Sequence, residues 1–262
     1  MTIRPFPLIL IALCAALPAG GTAQAGSLKA DYAVSVRGLP VGRAELRAAV
    51  ADRSYSVEFS GRVSGLARLF FDASAHGEAT GTIGADRPHA ESYSHVWVED
   101  DDTESVSMRF VGNGVAEIAI EPPRDADERV VPMSGEDKAD AIDMVSSFLW
   151  PAAAGSAQKT CNRTLPLIDG KRRFDVASRF SRTEWFSTRR GQREYRAIVC
   201  RLSYRPVSGH RTDKEGDGLL SDTHDVEVWL AAVGDGLVAP VRVQIGSRFG
   251  RVVLEATKFE AE

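Results

Sequence analysis

Apolar and polar residues alternate one for one in segment after segment of this chain, and that period of two restricts its fold more than any other feature. Tyr32-Ala33-Val34-Ser35-Val36 shows the pattern first. Arg43-Ala44-Glu45-Leu46-Arg47-Ala48 repeats it after Arg37-Gly38-Leu39-Pro40-Val41-Gly42, whose glycines and proline suit a chain reversal. Successive side chains of a strand point to opposite faces, so each such segment predicts a strand with one wet and one dry side. In Ser54-Tyr55-Ser56-Val57-Glu58-Phe59-Ser60 the dry side carries Tyr55, Val57 and Phe59. Further strands are expected over 73–83, 91–98, 105–110 and 115–120. Their separators are turn chemistry: 84–88, the acidic run Glu99-Asp100-Asp101-Asp102, and Gly112-Asn113-Gly114.

Two stretches break the alternation. Residues 63–71 are apolar without a strict period and read either as a short helical turn or as a bent strand. Residues 137–151 predict a helix: Asp137 or Asp140 can cap it, Ala141, Ile142, Met144, Val145, Phe148 and Leu149 recur at helical spacing, and Pro151 stops it. Beyond the small-residue connector 152–156, strands resume. Residues 161–167 and 174–180 flank the turn pair Asp169-Gly170, and 194–204, 226–232, 237–245 and 252–259 follow. The expected fold is mainly β: one large antiparallel sheet, curled into a half-open barrel or β-spiral, with one helix packed on it. A single β domain is expected over residues 26–262.

The first 25 residues predict an export signal. Arg4 precedes an apolar run from Phe6 to Leu17, too short to span a bilayer, and Ala23-Gln24-Ala25 offers small residues for cleavage after Ala25. Cys14 follows Leu13 rather than a small residue, so lipidation is not indicated. The expected location is the bacterial periplasm. Without Arg4, 31 basic and 36 acidic residues leave a net charge of about −5. That balance, with no basic stripe, argues against nucleic acid and against docking on anionic headgroups, so any lipid contact has to be apolar. Beyond Cys14 the only cysteines are Cys161 and Cys200. In an oxidising compartment a bridge between them is expected, and two free buried thiols are the alternative.

No motif carries catalysis. Asp213-Lys214-Glu215-Gly216-Asp217-Gly218 begins like a calcium loop, but His224 stands where its last carboxylate belongs, and the alternative is a solvated turn. The histidines His76, His89, His95, His210 and His224 form no zinc spacing. Ser156-Ala157-Gln158-Lys159 matches a serine-lysine motif by chance, without its companion motifs. No metal, cofactor or catalytic residue is therefore expected.

Several passages together resemble the family known as domain of unknown function 3108. These are the opening hairpin from Tyr32 to Ala44, Asp143-Met144-Val145-Ser146-Ser147, Asp169-Gly170-Lys171-Arg172-Arg173-Phe174, Cys200 with Tyr204-Arg205-Pro206-Val207-Ser208-Gly209-His210, and Pro240-Val241-Arg242-Val243 through Phe249-Gly250. The resemblance implies an exported bacterial protein without an assigned activity. In architecture alone, a sheet curled round a helix is similar to the periplasmic lipoprotein carriers LolA and LolB.

The functional expectation is a non-enzymatic protein of the cell envelope that binds a lipid or lipoprotein in an apolar cavity lined by Tyr55, Phe59, Trp97, Phe110, Phe148 and Trp229. The same residues also suit a plain core, because the inside of a curled sheet must be filled. Two other readings stand beside it: a module that recruits another envelope protein through a sheet edge, and a hydrolase, for which no spacing supports a site.

Overall fold

The computed structural model describes residues 26–124, 126–153, 155–188, 193–213, 225–234, 236–247 and 250–262. The expected signal segment lies outside them. So does the stretch 214–224, and with it the question of a calcium loop, of which only Asp213 is described.

Alternation becomes strands where it was expected. β1 (Gly26–Val36), β2 (Leu39–Ala51), β3 (Ser54–Val63), β4 (Ala73–Ile83), β5 (Pro88–Glu99), β6 (Asp102–Val111) and β7 (Gly114–Glu121) succeed one another in sequence and in space. Arg37 and Gly38, at φ 51° and 81°, reverse the chain between β1 and β2. Two positive-φ residues twist a hairpin in the sense its strands require. Asp52 and Arg53, at φ 50° and 68°, do the same between β2 and β3.

Two short strands follow, β8 (Ile142–Asp143) and β9 (Trp150–Pro151). A second meander comes after them: β10 (Arg163–Ile168), β11 (Arg173–Ser187), β12 (Glu194–Ser208), β13 (Val226–Gly234), β14 (Leu237–Ser247) and β15 (Gly250–Ala261). The two meanders join where β1 pairs with β15, from Leu28↔Ala261 to Val36↔Val252. The hydrogen-bonded path thus runs from β7 through β1 and β15 to β10 and β8, antiparallel except at β8–β10.

This sheet curls. Leu46, Val57 and Met108 of the first meander share one buried cluster with Trp229, Ala231 and Val241 of the second. Between β7 and β8 no ladder is present among the described residues, so the barrel stays open there. Side chains span the gap instead. Gly170 lies so close to β6 that a Cβ on it would stand 2.3 Å from Val106, and the neighbouring Lys171 pairs with Glu104.

The expected helix over 137–151 is not formed. One helical turn, α1 (Gly135–Lys138), is closed by a reciprocal cap between Ser134 and Asp137. Residues 141–151 then pass through the inside of the curl as β8, a 3-10 turn at Ser146–Phe148, and β9. Helical periodicity is informative only when one side of a segment is wet. Here Ile142 and Leu149 are buried, as is the acid Asp143, so apolar spacing records burial on all sides.

A second difference concerns Cys161, expected in a strand. It ends a short helix, α2 (Ala157–Cys161), whose first turn is capped by the Ser156 hydroxyl accepting from Lys159 N. Cys161 is bonded to Cys200 of β12, with the two Cα atoms 5.5 Å apart. The bridge therefore fastens the exit of the internal segment to the second meander. It does not tie the two meanders to each other.

Candidate functional site

Five of the six residues expected to line a cavity gather in one hydrophobic cluster, and Trp97 stands outside it. Tyr55, Phe110 and Trp229 are buried in the main cluster. Phe59 and Phe148 stack on each other with ring centres 5.1 Å apart. Trp97 lies at the rim, 43% exposed, its indole N–H donating to Glu99 at 3.4 Å. Ala141, Val145 and Leu149 of the internal segment belong to the same cluster. Val145 packs so closely on β4 that a Cβ on Gly77 would stand 2.9 Å from it. The Tyr55 and Ser146 hydroxyls share a hydrogen bond of 2.6 Å.

One polar group in that interior is incompletely served. Asp143 Oδ1 accepts from Val145 N and Ser146 N at 2.8 and 2.7 Å, while Oδ2 is buried without a hydrogen-bond partner. Burial pushes this carboxyl up to about 6, against the pull of its hydrogen bonds. Tyr55 and Tyr93 face it, and burial, then the charge of Asp143, holds both phenols above their ordinary range. Tyr93 O–H meets His95 Nδ1 at 2.8 Å, and burial, then Lys171, lowers the imidazole. The group holds a segment in place. No three potential metal ligands gather among the described residues.

The outside is different at the β3–β4 corner. Gly65, at φ 68°, turns the chain into a 3-10 turn, Gly65–Leu69, none of whose residues is buried. Leu66, Leu69 and Phe70 are 77%, 77% and 85% exposed, and Phe71 stands beside them, also exposed. Three residues per turn bring Leu66 and Leu69 over one another, and Phe70 and Phe71 follow directly. The corner is held by its backbone: Ser64 N donates to Val41 O at 2.9 Å, Asp100 N to Asp72 O at 2.8 Å, and Asp72 N to Asp100 Oδ1 at 3.1 Å. Arg68 and Asp72 are ion-paired at 2.5 Å. This is the stretch whose period was ambiguous in the sequence.

Where the corner leans on β2, an open groove of about 990 Å³ is lined by Asp31, Arg43, Glu45, Arg62, Ser64 and others. Arg43 and Arg62 stand directly opposite each other in the β2–β3 ladder. Like charges in such positions repel. Their own segments carry no signal for this pairing; the Asp52-Arg53 turn sets the register that brings them together.

Fold and surface together define a β-barrel-like protein with an internal segment packed in its main cluster and with apolar and charged features at one outer corner. A crystal structure of a β-barrel-like protein of domain of unknown function 1849 from Brucella abortus shares this fold at a TM-score of 0.50. The two are 9% identical over 92% of this chain and 98% of that one. The model of the protein family of unknown function DUF3108 matches residues 31–257, and the chain belongs to that family. No curated protein matches the sequence.

Proposed function

We propose that this is a non-catalytic binding protein of the bacterial cell envelope that attaches to a lipid surface through its β3–β4 corner. One observation carries the reading: three large apolar side chains, Leu66, Leu69 and Phe70, stand almost wholly in solvent on a corner whose backbone is hydrogen-bonded in place. Exposed apolar patches on soluble surfaces mark contact with partners or membranes. Arg68 within the same turn, and the half-exposed Trp97 on β5, supply cationic and aromatic groups of the kind that favour the level of the headgroups. The acidic run Glu99-Asp100-Asp101-Asp102 adjoins the corner, so attraction to anionic lipid does not drive the contact. Full burial of one such side chain contributes about 1.5–3 kcal/mol, so partial insertion of three corresponds to a weak, reversible attachment. No helix among the described residues is long and apolar enough to cross a membrane. The export signal expected in residues 1–25 supports the compartment.

Flotation with phosphatidylcholine vesicles tests this. The protein is expected to float with the vesicles equally well at low and high salt, and the triple variant Leu66→Ser, Leu69→Ser, Phe70→Ser to stay behind. Equal flotation of both, or of neither, overturns the reading.

A further inference from the structure

We infer that the groove behind the corner is a site for a phosphate-bearing zwitterion of the phosphoethanolamine class, with Arg43 and Arg62 taking the phosphate and Asp31 and Glu45 the ammonium. The inference rests on the lipid-surface reading for the source of the ligand, but the chemistry of the groove is argued from its own residues. Arg43 and Arg62 are the heart of it. They are direct cross-strand neighbours, their Cβ atoms about 5 Å apart by the geometry of an antiparallel pair. Both are exposed on the side of the sheet facing away from the core, and neither makes an ion pair or side-chain hydrogen bond among the described residues. The third arginine at this corner, Arg68, is already held by Asp72.

On β1, β4 and β5 the same ladder row brings no charge to the pair, since Ala33 opposes Arg43, Ser74 opposes Arg62 and Val98 opposes Ser74; one strand further, Glu255 of β15 opposes Ala33 and is paired with Arg242 at 3.4 Å. Two guanidinium groups side by side offer a planar array of N–H donors that matches the oxygens of one phosphate. The next row supplies the opposite sign. Asp31 and Glu45 face each other across β1 and β2, two residues along from the arginines and about 7 Å away along the strand. Glu45 is met by Arg47 at 2.7 Å, but the Asp31 carboxylate has no side-chain partner among the described residues. In the same row Lys258 of β15 stands opposite Asp31 but is ion-paired to Glu260 at 2.8 Å, Ser60 is neutral, and His76 is engaged by Glu78 at 3.0 Å. Cations and acids in adjacent rows of one open groove match a headgroup whose phosphate and ammonium are joined by two carbons. The apolar tip on the same loop would lie where such a lipid's chains begin.

The full mature chain is titrated with vesicles of phosphatidylcholine alone, with vesicles in which half is replaced by phosphatidylethanolamine or by phosphatidylglycerol, and with free phosphoethanolamine and inorganic phosphate in solution. Binding is expected to be at least fivefold tighter with phosphatidylethanolamine than with either other composition. Arg43→Gln/Arg62→Gln is expected to lose that preference while keeping its affinity for phosphatidylcholine and its melting temperature. Competition by free phosphoethanolamine supports the site with a soluble source; competition only by vesicles supports it with a lipid source. Equal competition by inorganic phosphate, or a preference that survives in the double variant, overturns the zwitterion assignment. If no vesicle binds, the lipid-surface reading fails by itself. The groove is then judged by free phosphoethanolamine alone, where chemical-shift changes at Arg43 and Arg62 support it and their absence overturns it.

Discussion

Two stretches of this chain are apolar and irregular, and the sheet treats them in opposite ways. Residues 141–151 are drawn inside the curl, where Ile142, Val145 and Leu149 are buried and β8 and β9 find partners in β10 and β14. The corner over Gly65–Leu69 keeps its leucines and Phe70 in water. Apolar content alone does not separate them. Both have backbone partners; what separates them is whether neighbouring strands cover the side chains, so the first stretch belongs to the stability of the fold and the second presents its side chains outward.

That contrast can be broken by mutation. The bridge that anchors the exit of the internal segment has the largest expected effect: Cys161→Ser or Cys200→Ser should cost roughly 4 kcal/mol, within a usual range of 2–5, because a loop of 39 residues is released in the unfolded chain. Equal melting with and without reductant would contradict this. Next comes Leu149→Ala, expected to cost about 3 kcal/mol in a urea melt by emptying space inside the curl. A loss under 1 kcal/mol would mean that the segment is not part of the core.

Asp143 sharpens the same point through pH. Its folded pKa of about 6 lies above its ordinary value of 3.8, so its favourable contribution is complete below about pH 4 and is lost as pH rises through 6. Relative to Asp143→Asn, the wild type should lose on the order of 2–3 kcal/mol between those limits. Parallel stability curves for the two proteins would refute the assignment. The smallest effect is expected at the corner. Leu69→Ser or Phe70→Ser should shift stability by no more than about 0.5 kcal/mol, because neither side chain leaves a packed environment. A large loss of stability there would erase the distinction between the two stretches.

The alternating strands were legible because one face of each is wet: Tyr55 and Val57 are buried as their spacing requires, and Asp169-Gly170 turns between β10 and β11. The internal segment has helical spacing without forming a helix because burial on every side removes the polar contrast from which periodicity is recognised. Trp97 shared the parity of inward residues, yet alternation specifies a face and not a height, and the rim is a matter of height. The same limit hid the arginine pair, since Arg43 and Arg62 are unremarkable until the turn between their strands fixes which residues stand opposite.

The pairing of β1 with β15 sets the timetable of folding. Ser27 and Glu262 exchange backbone hydrogen bonds of 2.9 and 3.0 Å, so the middle of the sheet is assembled from opposite ends of the described chain. Until the final strand is available, β1 has a bare flank, and neither meander can complete the enclosure around Leu149. Such closure between distant segments is slow, and a partly made chain exposes its spine to strangers in the meantime.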